Sequence, residues 1–152
     1  FYYLNFPSRN PEPATLPRNI EMSLNIQPQE VLKSRDYLLV YKNEEEIKNI
    51  KINKQIFDQL SLGFGGVIVT STGNSVDFVS RYFTPQASIL EDPVTGSAHC
   101  SLIPFWSSRL SKNNLNALQI SDRGGVILCE DRLERVVIGG QAKTFLKGQF
   151  SL

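Results

Sequence analysis

Glu91-Asp92-Pro93-Val94-Thr95-Gly96-Ser97-Ala98-His99-Cys100 is the stretch on which the reading of this chain turns. Two carboxylates precede a proline, a small hydroxyl-bearing turn follows, and an apolar run begins. The pattern predicts a helix over Ser97–Ser111, the longest in the chain. Cys100, Leu102, Ile103, Phe105, Trp106 and Leu110 cover more than one stripe of that helix, so it is expected to be buried, with Trp106 in the core. Pro104 lies inside it. Proline has no N–H to give, so the carbonyl of Cys100 should be freed and the axis bent.

Working outward, the neighbouring segments read mostly as strands. Tyr37–Tyr41 is apolar on both faces and is expected to be central. Val67–Ser71 is the clearest strand, and Val76–Phe83 follows a turn at Gly73-Asn74. Phe1–Phe6 reads as a strand already under way. Ala117–Ser121, Gly125–Cys129, Val136–Ile138 and Thr144–Leu146 make the C-terminal part β-like. Asn43 followed by Glu46 predicts a capped helix start, with Ile47 and Ile50 on one face. Ile56, Phe57 and Leu60 predict a second short helix. Gln27–Lys33 reads as one or two helical turns with Pro28 near the start. The prolines of segment 7–19 make it a loop or linker. One long apolar helix among strands that do not alternate with helices predicts an α+β fold: a curled, mixed or antiparallel sheet around one long central helix.

Composition narrows the function classes. The chain has 152 residues, 41% of them hydrophobic, enough for one domain or two small lobes without a metal or disulfide staple. Sixteen basic and fifteen acidic residues leave a net charge of +1, which offers no general attraction to nucleic acid or an anionic membrane surface. No apolar run approaches the roughly 18 residues of a membrane span. One histidine and two distant cysteines, Cys100 and Cys129, make no metal-ligand cluster. Without a leader-like pattern in the sequence given, a reduced, cytoplasmic protein is expected. Phe1 opens the sequence and Met22 is its one methionine, so a piece of a longer protein is expected as well.

The chemistry concentrates at the predicted helix start. The amides of Gly96, Ser97 and Ala98 are suited to hold a carboxylate or phosphate, helped by the helix dipole. Asp92 stands just outside, where a carboxylate can move a proton to or from an anchored substrate. The same residues also permit a plainer role: Asp92 caps the turn, Thr95 is the N-cap, and Pro93 stiffens the entry. Glu91 reads as a surface carboxylate or a partner for Arg81, His99 as a hydrogen-bonded packing residue, and Cys100 as an inert small hydrophobe. Gly63-Phe64-Gly65-Gly66 precedes a strand and is no nucleotide-binding fingerprint.

Glu91–His99, preceded by Val79-Ser80-Arg81-Tyr82-Phe83-Thr84-Pro85, resembles the phenazine-biosynthesis-type (PhzF-like) isomerase family. The resemblance extends through Pro104-Phe105-Trp106, Leu118–Gly125 and Val136–Ala142, and back to Leu4-Asn5-Phe6-Pro7. It implies a diaminopimelate epimerase-like fold of two similar lobes with the active site between them. On that basis residues 1–10 are a tail strand and linker from an N-terminal lobe, and 11–152 form the C-terminal lobe. The family isomerises by acid–base proton transfer at carbon, with no metal or organic cofactor. Asp92 matches its second-lobe aspartate, and Gly96 and Ser97 match its substrate-contacting turn. The family's principal glutamate and a glycine–histidine turn belong to the first lobe and have no counterpart in this sequence.

The function expected is therefore that of the C-terminal lobe of a cofactor-independent isomerase or epimerase acting on a small carboxylate metabolite. Its partners would be that substrate and the N-terminal lobe of the same protein, and the family is often homodimeric. The alternative is a non-catalytic domain that binds an anion or another protein, or an inactive paralogue.

Overall fold

The run Val67–Thr72, β-branched at every position but Ser71, forms strand β5, buried from Val67 to Ser71. Strand β4, Tyr37–Val40, lies parallel to it on one side. Strand β6, Phe78–Phe83, lies antiparallel on the other. Successive side chains of a strand face opposite ways. In β6, Phe78 and Tyr82 therefore join one core while Val79 and Phe83 join a second.

Those two cores lie on opposite faces of one sheet in the computed structural model, which describes residues 1–150. The first packs against helix α4, Gly96–Leu110. The second packs against three short helices, α1 (Arg18–Ser23), α2 (Glu44–Asn49) and α3 (Lys54–Phe57). Every residue of α4 from Ala98 to Ser107 is buried. Trp106 stacks on Phe78 at 5.8 Å and donates its indole N–H to Thr70 Oγ1 at 3.0 Å. Asn43 caps α2 by accepting from the Glu46 amide, as its spacing predicts.

The remaining strands are β1 (Tyr2–Pro7), β2 (Glu12–Pro13), β3 (Glu30–Lys33), β7 (Asn114–Gln119), β8 (Gly125–Asp131) and β9 (Arg135–Gly140). Among the described residues the sheet is mixed and nine-stranded, in the order β1-β9-β8-β7-β6-β5-β4-β3-β2. Both parallel pairs, β4 with β5 and β6 with β7, are joined through helices: α2 and α3 in the first connection, α4 in the second. The α+β class expected from the sequence is the one found. β1 and β2 form opposite edges, yet only residues 8–11 join them. This link meets the middle of α4, where the Arg9 amide donates to the Cys100 carbonyl at 2.9 Å.

Three expectations are corrected. Gln27–Lys33 holds no helical turn: Glu30–Lys33 is β3, paired with β4 from Glu30↔Val40 to Lys33↔Tyr37. Val31 and Leu32 serve opposite cores, which a strand allows and one helical stripe does not. Segment 7–19 is more than linker. Pro13 lies on the edge strand β2, where a missing N–H costs little, and Pro17 is the N-cap of α1. Thr144–Leu146 is no strand: residues 141–150 form neither helix nor strand, and Phe145 is fully exposed.

Candidate active site

The loop between β6 and α4 is pinned to its neighbours by its own backbone. The Thr84 amide donates to the Leu90 carbonyl at 2.9 Å, and the Asp92 amide to the Tyr82 carbonyl at 3.0 Å. Glu91 is the partner of Arg81 that the sequence suggested: it takes a bidentate pair of hydrogen bonds from Arg81, at 2.7 and 2.8 Å. Arg81 Nη1 also donates to the carbonyls of Ile47 and Ile50, at the C-terminal end of α2. Glu91 is thereby a structural partner of Arg81.

Asp92 meets a different set. Its Oδ2 accepts from the Thr95 hydroxyl at 2.7 Å. Gln119, only 1% exposed at the end of β7, closes the loop from beneath. Gln119 Oε1 accepts from the Thr95 amide at 2.7 Å. Its Nε2 donates to the Asp92 carbonyl at 2.7 Å and to Thr95 Oγ1 at 3.1 Å. Ser121 donates to the Pro93 carbonyl at 2.7 Å.

This arrangement leaves the start of α4 open. Thr95 occupies the N-cap position, but its hydroxyl makes no cap bond because it is turned to Asp92. The carbonyls of Asp92 and Pro93 are committed to Gln119 and Ser121. The amides of Gly96, Ser97 and Ala98 therefore find no acceptor among the described residues. Gly96 is exposed, and a Cβ there would meet nothing within 4 Å. Ala98 is buried, and its methyl belongs to the core packed on α4.

Ser97 Oγ accepts from Arg35 Nη2 at 2.9 Å. Arg35 is itself held by the buried Asp36, which also accepts from the Gly66 amide at 2.8 Å and the Tyr82 hydroxyl at 3.0 Å. Burial, reinforced by Asp36, pushes the Tyr82 phenol up to about 12, so it donates throughout the neutral range. A cleft of about 650 Å³ opens beside the helix start, with Tyr2, Leu4, Val94, Gly96, Arg123 and Ile138 in its wall. Of the four expected site residues, Gly96 lines this cleft; Asp92, Ser97 and Ala98 lie outside its lining.

His99 faces the core. It is fully buried beside Phe78, its Nδ1 lies 2.7 Å from the Thr95 carbonyl, and burial brings its pKa down to about 4. The ring is neutral, so Nδ1 carries the hydrogen toward the carbonyl. Burial likewise raises the Cys100 thiol above its usual range, which disfavours the reactive thiolate. Among the described residues no group of three His, Cys, Asp or Glu side chains is placed to hold a metal ion. No helix of the described residues is long and apolar enough to cross a membrane.

Sequence reading missed Gln119 and Arg35 as parts of this site. Gln119 had a signal: with Leu115 and Ala117 it completes the inward-facing positions of β7, and a polar side chain there demands a buried partner. Arg35 had none, since its link to Ser97 spans 62 residues.

Comparison with known proteins adds a consistent finding. A family model described as phenazine biosynthesis-like protein (PhzC-PhzF) matches residues 14–148. An uncharacterized isomerase of Pseudomonas aeruginosa is 43% identical over 150 residues, which cover 98% of this chain and 57% of that protein. A crystal structure of a phenazine biosynthesis protein of the PhzF family from Enterococcus faecalis superimposes with a TM-score of 0.88 at 46% identity. It covers 99% of this chain and 58% of its own. A PhzC/PhzF protein from Clostridium difficile gives 0.87 at 39% identity, with the same coverage. The chain thus spans less than three-fifths of the length of these relatives.

Proposed function

Because this chain belongs to the phenazine biosynthesis-like protein family, we propose that it is the C-terminal lobe of a cofactor-independent isomerase or epimerase. The enzyme acts on a small carboxylate metabolite by acid–base proton transfer. Asp92 is its acid–base group on this lobe, and the free amides of Gly96, Ser97 and Ala98 hold the substrate's anionic group. Residues 1–10 continue from an N-terminal lobe and 11–152 form this one; residues 151–152 lie outside the described residues. The N-terminal lobe supplies the second acid–base group, and the working protein is a cytoplasmic homodimer.

The observation that carries the reading is the uncapped start of α4 with a hydroxyl-bound carboxylate beside it. The lobe architecture, a sheet curled around Gly96–Leu110, has its own support. Eight gaps between nine flat strands would separate the edges by about 38 Å. The five steps from Pro7 to Glu12 span at most about 18 Å, yet they join those edges.

The test is isotope exchange. The complete reading frame, incubated in D2O with a panel of small carboxylic acids, should place deuterium at a carbon-bound position of one of them. Ligand-dependent shifts at the Gly96–Ala98 amides with no exchange for any bound acid would favour the non-catalytic anion-binding reading.

A further inference from the structure

Gln119, Thr95 and Asp92 form a hydrogen-bond chain whose direction is determined by chemistry. The Thr95 amide can only donate, so the Gln119 atom facing it at 2.7 Å is the carbonyl oxygen Oε1. The Asp92 backbone carbonyl can only accept, so the Gln119 atom facing it at 2.7 Å is the amino nitrogen. Turning the amide over would set N–H against N–H and oxygen against oxygen. The remaining hydrogen of that nitrogen points to Thr95 Oγ1 at 3.1 Å. The threonine hydroxyl accepts from Gln119 and has one hydrogen to give, which goes to Asp92 Oδ2 at 2.7 Å. Gln119 is 1% exposed, and its two bonds to Thr95 are buried, which keeps water from competing for them.

We propose that Gln119 and Thr95 are positioning residues that commit Asp92 Oδ2 to accepting a hydrogen bond, so that Oδ1 is the oxygen that takes and returns the proton. Oδ1 accepts no hydrogen bond from the described residues. This proposal rests on the reading that Asp92 performs the transfer. Asp92 acts in its carboxylate form, with the Thr95 hydroxyl donating to Oδ2. The substrate C–H bond breaks, its electron pair stays on the substrate, and the proton moves to Oδ1. The proton then returns to a different carbon and Asp92 is ionised again. No oxidant or reductant is consumed.

The test needs no substrate. The Asp92 carboxyl carbon is followed by NMR through a pH titration in the 152-residue chain, in wild type and in Thr95→Val, Thr95→Ser and Gln119→Glu. In Thr95→Val the donor to Oδ2 is gone. In Gln119→Glu the threonine hydroxyl turns to the new carboxylate. Both should move the Asp92 midpoint upward by about one pH unit. Thr95→Ser keeps the hydroxyl and should leave it in place. Should a variant fail to fold, the wild-type chain answers by itself. A hydroxyl held at both ends gives a slowly exchanging Thr95 proton resonance that moves with the Asp92 titration. One midpoint shared by all folded variants, or a Thr95 hydroxyl averaged with water, overturns the proposal. Shifts of midpoint without Asp92-dependent exchange in the complete protein would leave the chain intact as structure and sink the functional reading instead.

Discussion

The backbone N–H of Arg9 donates to the carbonyl of Cys100 at 2.9 Å. Pro104, four residues beyond Cys100, has no N–H to fill that carbonyl, which lies within the buried run of α4. The link between the two edge strands supplies the donor instead, so the interruption in the helix doubles as an anchor. Pro104→Ala restores a helical donor. The Arg9 amide should then exchange with solvent at least about tenfold faster than in wild type, by NMR-detected hydrogen exchange. Unchanged protection would mean that Pro104 is incidental to the anchor.

Gly125 lies against Val94. A Cβ there would sit 2.5 Å from Val94 Cγ2, and Val94 connects Asp92 to the start of α4. Gly125→Ala must push this loop aside. A loss of about 1–3 kcal/mol in urea unfolding is expected, with altered amide shifts at Thr95 and Gly96.

His99 gives the chain a pH-dependent stability of definite sign. Its folded pKa, about 4, lies below the ordinary 6.5 because burial disfavours the charged ring. The unfolded chain therefore binds the extra proton first. The contribution is complete above about pH 6.5, declines as the pH falls toward 4, and totals about 3 kcal/mol. His99→Asn keeps a donor for the Thr95 carbonyl and cannot titrate. Denaturant curves should show the variant losing less stability than wild type between pH 6.5 and 4. Parallel losses would contradict the assignment.

Cys100 and Cys129 are both free and buried, and burial pushes the Cys129 thiol up to about 12. Alkylation without reductant should add two labels to the denatured chain and react far more slowly with the folded one. No labels on a denatured monomer would reveal a disulfide.

Local chemistry explains which parts of this structure were readable in the sequence. The Asn43 cap, the β-branched run of β5 and the apolar surround of α4 each carry their signal within a few residues, and each formed as expected. Pro28 misled because it suits a helix start, whereas Val31 and Leu32 are governed by the cores on either side of the sheet. The apolar Thr144–Leu146 pattern lacked any strand to pair with among the described residues. At the site, the sequence singled out Asp92 and the helix start. It did not show that Thr95 would turn from capping to Asp92, because the cause is Gln119, 24 residues away.

The most direct measurement is the rate at which the complete protein exchanges solvent deuterium into the small carboxylate proposed as its substrate, in wild type and in Asp92→Asn. The substitution keeps shape and a hydrogen-bond acceptor for Thr95 while removing the ionisable group. A positioned acid–base group is worth roughly 10²–10⁴-fold, and a loss of that size with the melting temperature preserved is the predicted result. Exchange by Asp92→Asn at the wild-type rate would contradict the account, leaving Asp92 as a structural cap of the turn.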